Sequence, residues 1–108
     1  MDEALLQAMT EAIVDEVHPD EIILFGSHAR GDVNPASDLD LLVVVPDSEE
    51  ARLKRRRITG RIYRSIAAYP VAKDILLYTR SEVDHWRRVR GHVVATGLEE
   101  GRQLYVRP

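Results

Sequence analysis

Cysteine is absent from this 108-residue chain, and disulfides and cysteine-ligated zinc are excluded with it. Long apolar runs are missing too. The longest, Leu41 to Val45, falls far short of the roughly 20 residues a membrane helix needs. The amino terminus is acidic where a signal peptide would be basic, so cytoplasmic residence without a membrane contact is the expectation. No repeat, low-complexity tract or linker interrupts the sequence. Its length suits one hydrophobic core, and residues 1–108 are expected to form a single domain.

Lys and Arg do not occur in residues 1–21, which carry seven acids, whereas residues 52–64 carry seven of the fifteen basic residues and no acid. The net charge of −3 hides these two poles, which could steer a charged partner or could be ordinary solvated helix faces. The cations from Arg52 to Arg57 lack interleaved aromatic residues, which argues against nucleic acid and for a solvated face. His18, His28, His85 and His92 show no metal-ligand spacing. Phe25, Trp86 and Tyr105 read as core or edge packing.

Leu5, Met9, Ile13 and Val17 repeat every four residues and predict a helix from Asp2 to Val17, ended by His18-Pro19. Glu21–Phe25 and Leu39–Val45 read as strands, the second closed by Pro46. Between them Gly26, Gly31, Asn34 and Pro35 mark a loop. A helix is predicted from Glu49 to Ala67 on the spacing of Leu53, Ile58, Ile62 and Ile66, then a strand from Val71 to Tyr78. Ser81 to Asp84 resembles a capped helix entry, and Val93 to Glu100 is a final helix before Gly101. The class is α/β (α+β): a small mixed sheet with helices packed on it.

Asp38 and Asp40 bracket Leu39 at the head of an apolar strand, where each carboxylate resists desolvation. Two residues apart on a strand, they project to one face about 6.6 Å apart along the chain. A shared divalent cation removes the penalty, and a hard ion such as Mg²⁺ prefers carboxylate oxygen. Asp74, in VAKDILLY, puts a third acid in an apolar strand, and three carboxylates would converge if that strand paired beside the second. Such a set suits a two-metal site in which one ion activates the attacking oxygen and the other holds the leaving phosphate. Asp74 is the candidate proton acceptor. Gly26-Ser27, just past the first strand, allows close backbone approach to a phosphate, and Arg30 could add a charged fork. Ser37 is read as bracing the loop ahead of the acids by hydrogen bonding.

The string GSHARGDVNPASDLDLLV resembles the signature of the DNA polymerase beta-like nucleotidyltransferase superfamily. It is most similar to the minimal nucleotidyltransferases of bacteria and archaea, often antitoxin partners of a helical HEPN-domain ribonuclease toxin. The tail GLEEGRQLYV resembles that family's usual ending. The resemblance implies the polymerase beta-like palm fold and transfer of a nucleoside monophosphate, AMP from ATP or another NTP, with release of pyrophosphate. It implies triphosphate binding by Gly26 and Ser27, with Arg30 either on the nucleotide or closing the loop. It makes Asp38 and Asp40 ligands of two Mg²⁺ ions and Asp74 a ligand and base. The acceptor it implies is a partner HEPN toxin, silenced by modification. The rival reading is a catalytically silent module that neutralises its partner by masking a surface. A homo-oligomer joined through the acidic and basic helices is open.

Overall fold

The computed structural model describes residues 2–31 and 38–108; the expected roles of Asn34, Pro35 and Ser37 lie outside the described residues. Helix α1 (Glu3–Val17) starts where the Asp2 carboxylate accepts from the Ala4 N–H at 2.9 Å. Strands β1 (Glu21–Phe25) and β2 (Leu39–Val45) follow, then α2 (Glu49–Leu53), α3 (Arg55–Ser65), β3 (Lys73–Thr79), α4 (Arg80–Trp86), α5 (Val93–Glu100) and β4 (Arg102–Val106). The sheet order is β3-β2-β1-β4. The β2–β3 pair is parallel and the other two pairs are antiparallel.

Alternation along β2 divides its side chains between two apolar layers. Leu39, Leu41 and Val43 face Leu6, Met9 and Ile13 of α1 and Ile58 and Ile62 of α3. Leu42 and Val44 face the other way, onto Val83 of α4 and Val94 of α5, with Phe25, Leu76, Tyr78, Trp86 and Leu98 around them. The sheet is therefore sandwiched, α1 and α3 on one side and α4 and α5 on the other. None of the helices among the described residues is long and apolar enough to cross a membrane.

Three local expectations need correction. The helix predicted from Glu49 to Ala67 breaks at Lys54, whose φ of −129° and ψ of 42° leave the helical region. The break follows the five-residue gap from Leu53 to Ile58, which no 3.6-residue repeat accommodates; Leu53 ends up 59% exposed. It also frees Arg55 to donate to the Leu77 carbonyl at 3.0 Å and to both oxygens of Glu82. Second, α4 begins two residues before the predicted entry. Thr79 is the cap, its hydroxyl accepting from the Glu82 N–H while the Glu82 carboxylate accepts from the Thr79 N–H, a reciprocal capping box. Third, the tail forms a fourth strand. Gly101 makes that turn possible, because a Cβ there would collide with Ile23 and the Leu24 carbonyl.

The acidic and basic poles prove to be neighbours. Arg61 of α3 holds Glu16 of α1 at 3.0 Å and also donates to its carbonyl, and Arg102 grips Glu3 with both terminal nitrogens. Glu82 joins α3 to the sheet end. Partial burial raises its pKa, but the Arg55 and Thr79 bonds outweigh this and hold the carboxylate below the usual glutamate range. Stability from such a group is present above its unfolded pKa and is lost as pH falls through the folded one. Glu82→Gln is predicted to cost about 1 kcal/mol at neutral pH, for one cap and one part-exposed ion pair. Urea titrations of both chains should show the difference closing in acid below the ordinary glutamate range; a pH-independent difference contradicts the assignment.

Candidate active site

The parallel register sets Asp40 of β2 directly beside Asp74 of β3, and the antiparallel register sets Phe25 of β1 on Asp40's other side. In-register residues of adjacent strands share a face about 4.8 Å apart. Phe25, Asp40 and Asp74 thus form the last row of the face that carries Ile23, Leu42 and Leu76 one step inward. That face is covered by α4 and α5. Helix α4 has seven residues, about 10 Å of helix, against about 23 Å for each seven-residue strand. It cannot cover the full length of β2 and β3, and α5 packs on Phe25 of β1, so the carboxylate end of the row stays open, with Asp74 exposed and Asp40 half-buried.

Gly26 closes the row from above. Its φ of 73° is left-handed, and a Cβ there would run into Asp40 Oδ2. Only glycine lets this backbone lie against the carboxylate. The chain then coils tightly: the Arg30 N–H donates to the carbonyls of Gly26 and Ser27 at 3.3 and 3.2 Å, and the Gly31 N–H to that of His28 at 3.3 Å. Ser27 is half-buried in this turn and Arg30 lies exposed at its end. A cleft of about 290 Å³ runs from Phe25, Gly26 and Arg30 to Gly91, Val93 and Thr96 at the start of α5.

Burial pushes the Asp40 pKa above the usual aspartate range, the charges of Asp74 and Asp38 add to the rise, and His28 pulls the other way. This is what a shared anionic site does to its most enclosed member. Asp38 sits exposed immediately before β2, within electrostatic reach of Asp40. Of the three acids, the structure sets two side by side and leaves Asp38 on the approach. Among the described residues no three His, Asp or Glu side chains are already gathered to hold a metal ion. The donor set nevertheless fits a hard divalent cation in kind: oxygen ligands only, like charges in need of a counter-charge, at an open edge.

Sequence reasoning did not find the α5 side of the cleft. Its signal is Gly91, with a φ of 85°, ahead of His92, whose Nδ1 accepts from the Val94 N–H at 3.1 Å and caps α5. The His92 ring stacks on Trp86 with centroids 4.2 Å apart.

Comparison with known proteins agrees with this architecture. A chain from Methanocaldococcus jannaschii named "Putative protein adenylyltransferase" is 36% identical over 58 residues, which are 54% of this chain and 54% of that protein. The match thus spans about half the length of that relative. A solved structure described as a "putative nucleotidyltransferase from Sulfolobus solfataricus" superposes with a TM-score of 0.64 at 22% identity, covering 96% of this chain and 79% of that one; it shares the fold. The family of the nucleotidyltransferase domain matches residues 6–102, and to that family this chain belongs.

Proposed function

We propose that this protein transfers AMP from ATP to a hydroxyl group of a partner protein, with Mg²⁺ held by Asp38, Asp40 and Asp74. The observation that carries the reading is the in-register Asp40–Asp74 pair beneath Gly26. The name borne by the Methanocaldococcus relative supports the protein acceptor. The resemblance of the Gly26 to Asp40 segment to the minimal nucleotidyltransferases supports a HEPN-type toxin as that acceptor.

Magnesium, when bound, supplies positive charge that draws the triphosphate to the carboxylates and acidifies the attacking hydroxyl. The chain's own residues do the rest. The Gly26-Ser27 turn offers an approach for phosphate oxygens that no side chain obstructs. Asp74, exposed at the sheet edge, accepts the proton of the acceptor hydroxyl as its oxygen bonds to the α-phosphorus and the bond to pyrophosphate breaks. Asp40, enclosed and flanked by like charge, holds the site's negative field.

That arrangement opposes stability. A carboxylate whose folded pKa is raised weakens the fold as pH climbs through the raised value, and ceases to do so once protonated. In metal-free protein Asp40→Asn is therefore expected to raise the melting temperature at neutral pH by about 2–4 °C, with no gain in acid, while abolishing transfer. Lower stability for the variant contradicts this electrostatic account. Asp74→Asn should raise the Mg²⁺ concentration needed for ATP binding in titration calorimetry and slow label transfer to a co-expressed partner by about a hundredfold or more, even at saturating ATP and Mg²⁺. A variant that still transfers at the wild-type rate removes Asp74 as base. If the Asp40→Asn and Asp74→Asn double variant still neutralises the partner in cells, masking replaces transfer as the activity. Gly26→Ala, strained in φ and in conflict with Asp40, is expected to cost about 1–3 kcal/mol in chemical denaturation and to lose ATP binding in calorimetry.

A further inference from the structure

Most arginines that this fold brings near an acid are paired: Arg55 with Glu82, Arg61 with Glu16, Arg80 with Glu21 and Arg102 with Glu3. The turn between α4 and α5 differs. Arg87, Arg88 and Arg90 fall within four consecutive positions, all exposed, and none has an ion pair among the described residues. Two large apolar side chains stand in the open among them, Val89 at 38% and Val93 at 39% exposure. A groove of about 410 Å³ runs between these arginines and α5, with Ala95 and Leu98 along it and Glu99 as its one acid.

The segment is held firmly in this form. The N–H groups of Arg87, Arg88 and Val89 donate to the Val83, His85 and Trp86 carbonyls, Gly91 turns the chain, and His92 caps α5 while stacked on Trp86. Like charges packed into a fixed turn repel one another, and exposed valines gain nothing from water. A surface of this kind is rewarded by a partner that brings acid and apolar side chains together. Its position gives the partner a role, because Gly91 and Val93 also line the cleft that reaches Gly26 and Arg30. Arg64 at the end of α3 and Lys73 at the start of β3 also have no ion pair among the described residues; the other such cluster, Arg52, Lys54, Arg56 and Arg57, lies on α2 and the start of α3. There Arg55 is bonded to Leu77 and Glu82, toward the end of β3 opposite Asp74.

We propose that the α4–α5 turn is the acceptor-docking surface: Arg87, Arg88 and Arg90, with Val89 and Val93, bind an acidic, apolar-bearing segment of the acceptor protein and deliver its hydroxyl to the Asp40–Asp74 edge. The proposal rests on the protein-acceptor reading above. RNA is the poorer occupant, since a phosphate backbone leaves both valines uncovered and Trp86 already stacks on His92 instead of offering its face to a base.

The test measures binding and transfer separately. A fluorescent peptide with Glu and Leu alternating around one Tyr is titrated with the full chain and followed by anisotropy, beside a Lys-for-Glu peptide and a single-stranded RNA oligomer. Replacing Arg87, Arg88 and Arg90 with Glu is expected to weaken the acidic peptide by about tenfold or more, and Val89→Ser with Val93→Ser by about threefold. The same charge reversal at Arg52, Arg56 and Arg57 should change it by less than about twofold. ATP-analogue binding should stay at the wild-type level in both charge-reversal variants, which certifies their fold, while the fold of the valine variant, whose Val93 lines the Gly26 cleft, is certified by its circular dichroism and melting temperature. The proposal is overturned if wild type fails to bind the acidic peptide up to about 1 mM, if both reversals weaken it equally or neither does, or if the Lys peptide or the RNA binds more tightly. Transfer from α-labelled ATP to the peptide tyrosine is read in the same samples. Binding that depends on the turn without any transfer supports the surface and refutes the transferase reading instead.

Discussion

The parallel pairing of β2 with β3 is the constraint on which the molecule's chemistry depends. Register fixes it: Leu41 lies beside Ile75 and Val43 beside Leu77 in one apolar layer, Leu42 beside Leu76 in the other. A slip of one residue would turn each of these side chains to the wrong face. The apolar rows hold the strands, and the aspartates in the last row are brought together as a consequence. Burial of Leu39, Leu41 and Val43 thus works against the repulsion between Asp40 and Asp74, and the site's strain is carried by the core.

Charge elsewhere is arranged to relieve strain. Arg61 and Arg102 tie the acidic first helix to α3 and β4, and Arg55 ties α3 to the capped start of α4. The Arg55 and Arg61 contacts act away from the open end of the sheet, whereas Arg102 pairs with Leu24 beside it. At that end the balance is reversed: a carboxylate pair on the sheet and arginines with exposed valines on the turn that faces the same cleft. Local disagreement with stability, in a fold consistent elsewhere, is where function is expected.

The sequence made much of this legible. Aspartates inside apolar runs marked both strands of the site, and Gly26-Ser27 marked the turn, because burying a charge or placing glycine at a strand end has few structural reasons. Strand partners were not legible. That β3 lies beside β2, and that Asp74 meets Asp40 in register, depends on how α1 and α3 cover one layer, which no local pattern records. The tail strand escaped because Arg102–Val106 is short, lies at an edge and alternates weakly. The break at Lys54 was present in the Leu53–Ile58 spacing but was outweighed by the regular Ile58, Ile62 and Ile66 repeat. The α4–α5 turn was missed because Gly91 alone marks a turn without showing that Val89 and Val93 stand in solvent.

The central claim, that the Asp40–Asp74 edge collects a divalent cation and a triphosphate beneath Gly26, is tested most directly by crystals grown with Mn²⁺ and a non-hydrolysable ATP analogue. The account predicts anomalous density about 2.1 Å from carboxylate oxygens of both residues, with phosphate oxygens against the Gly26-Ser27 turn. Manganese bound elsewhere, or a triphosphate seated away from that turn, would contradict it.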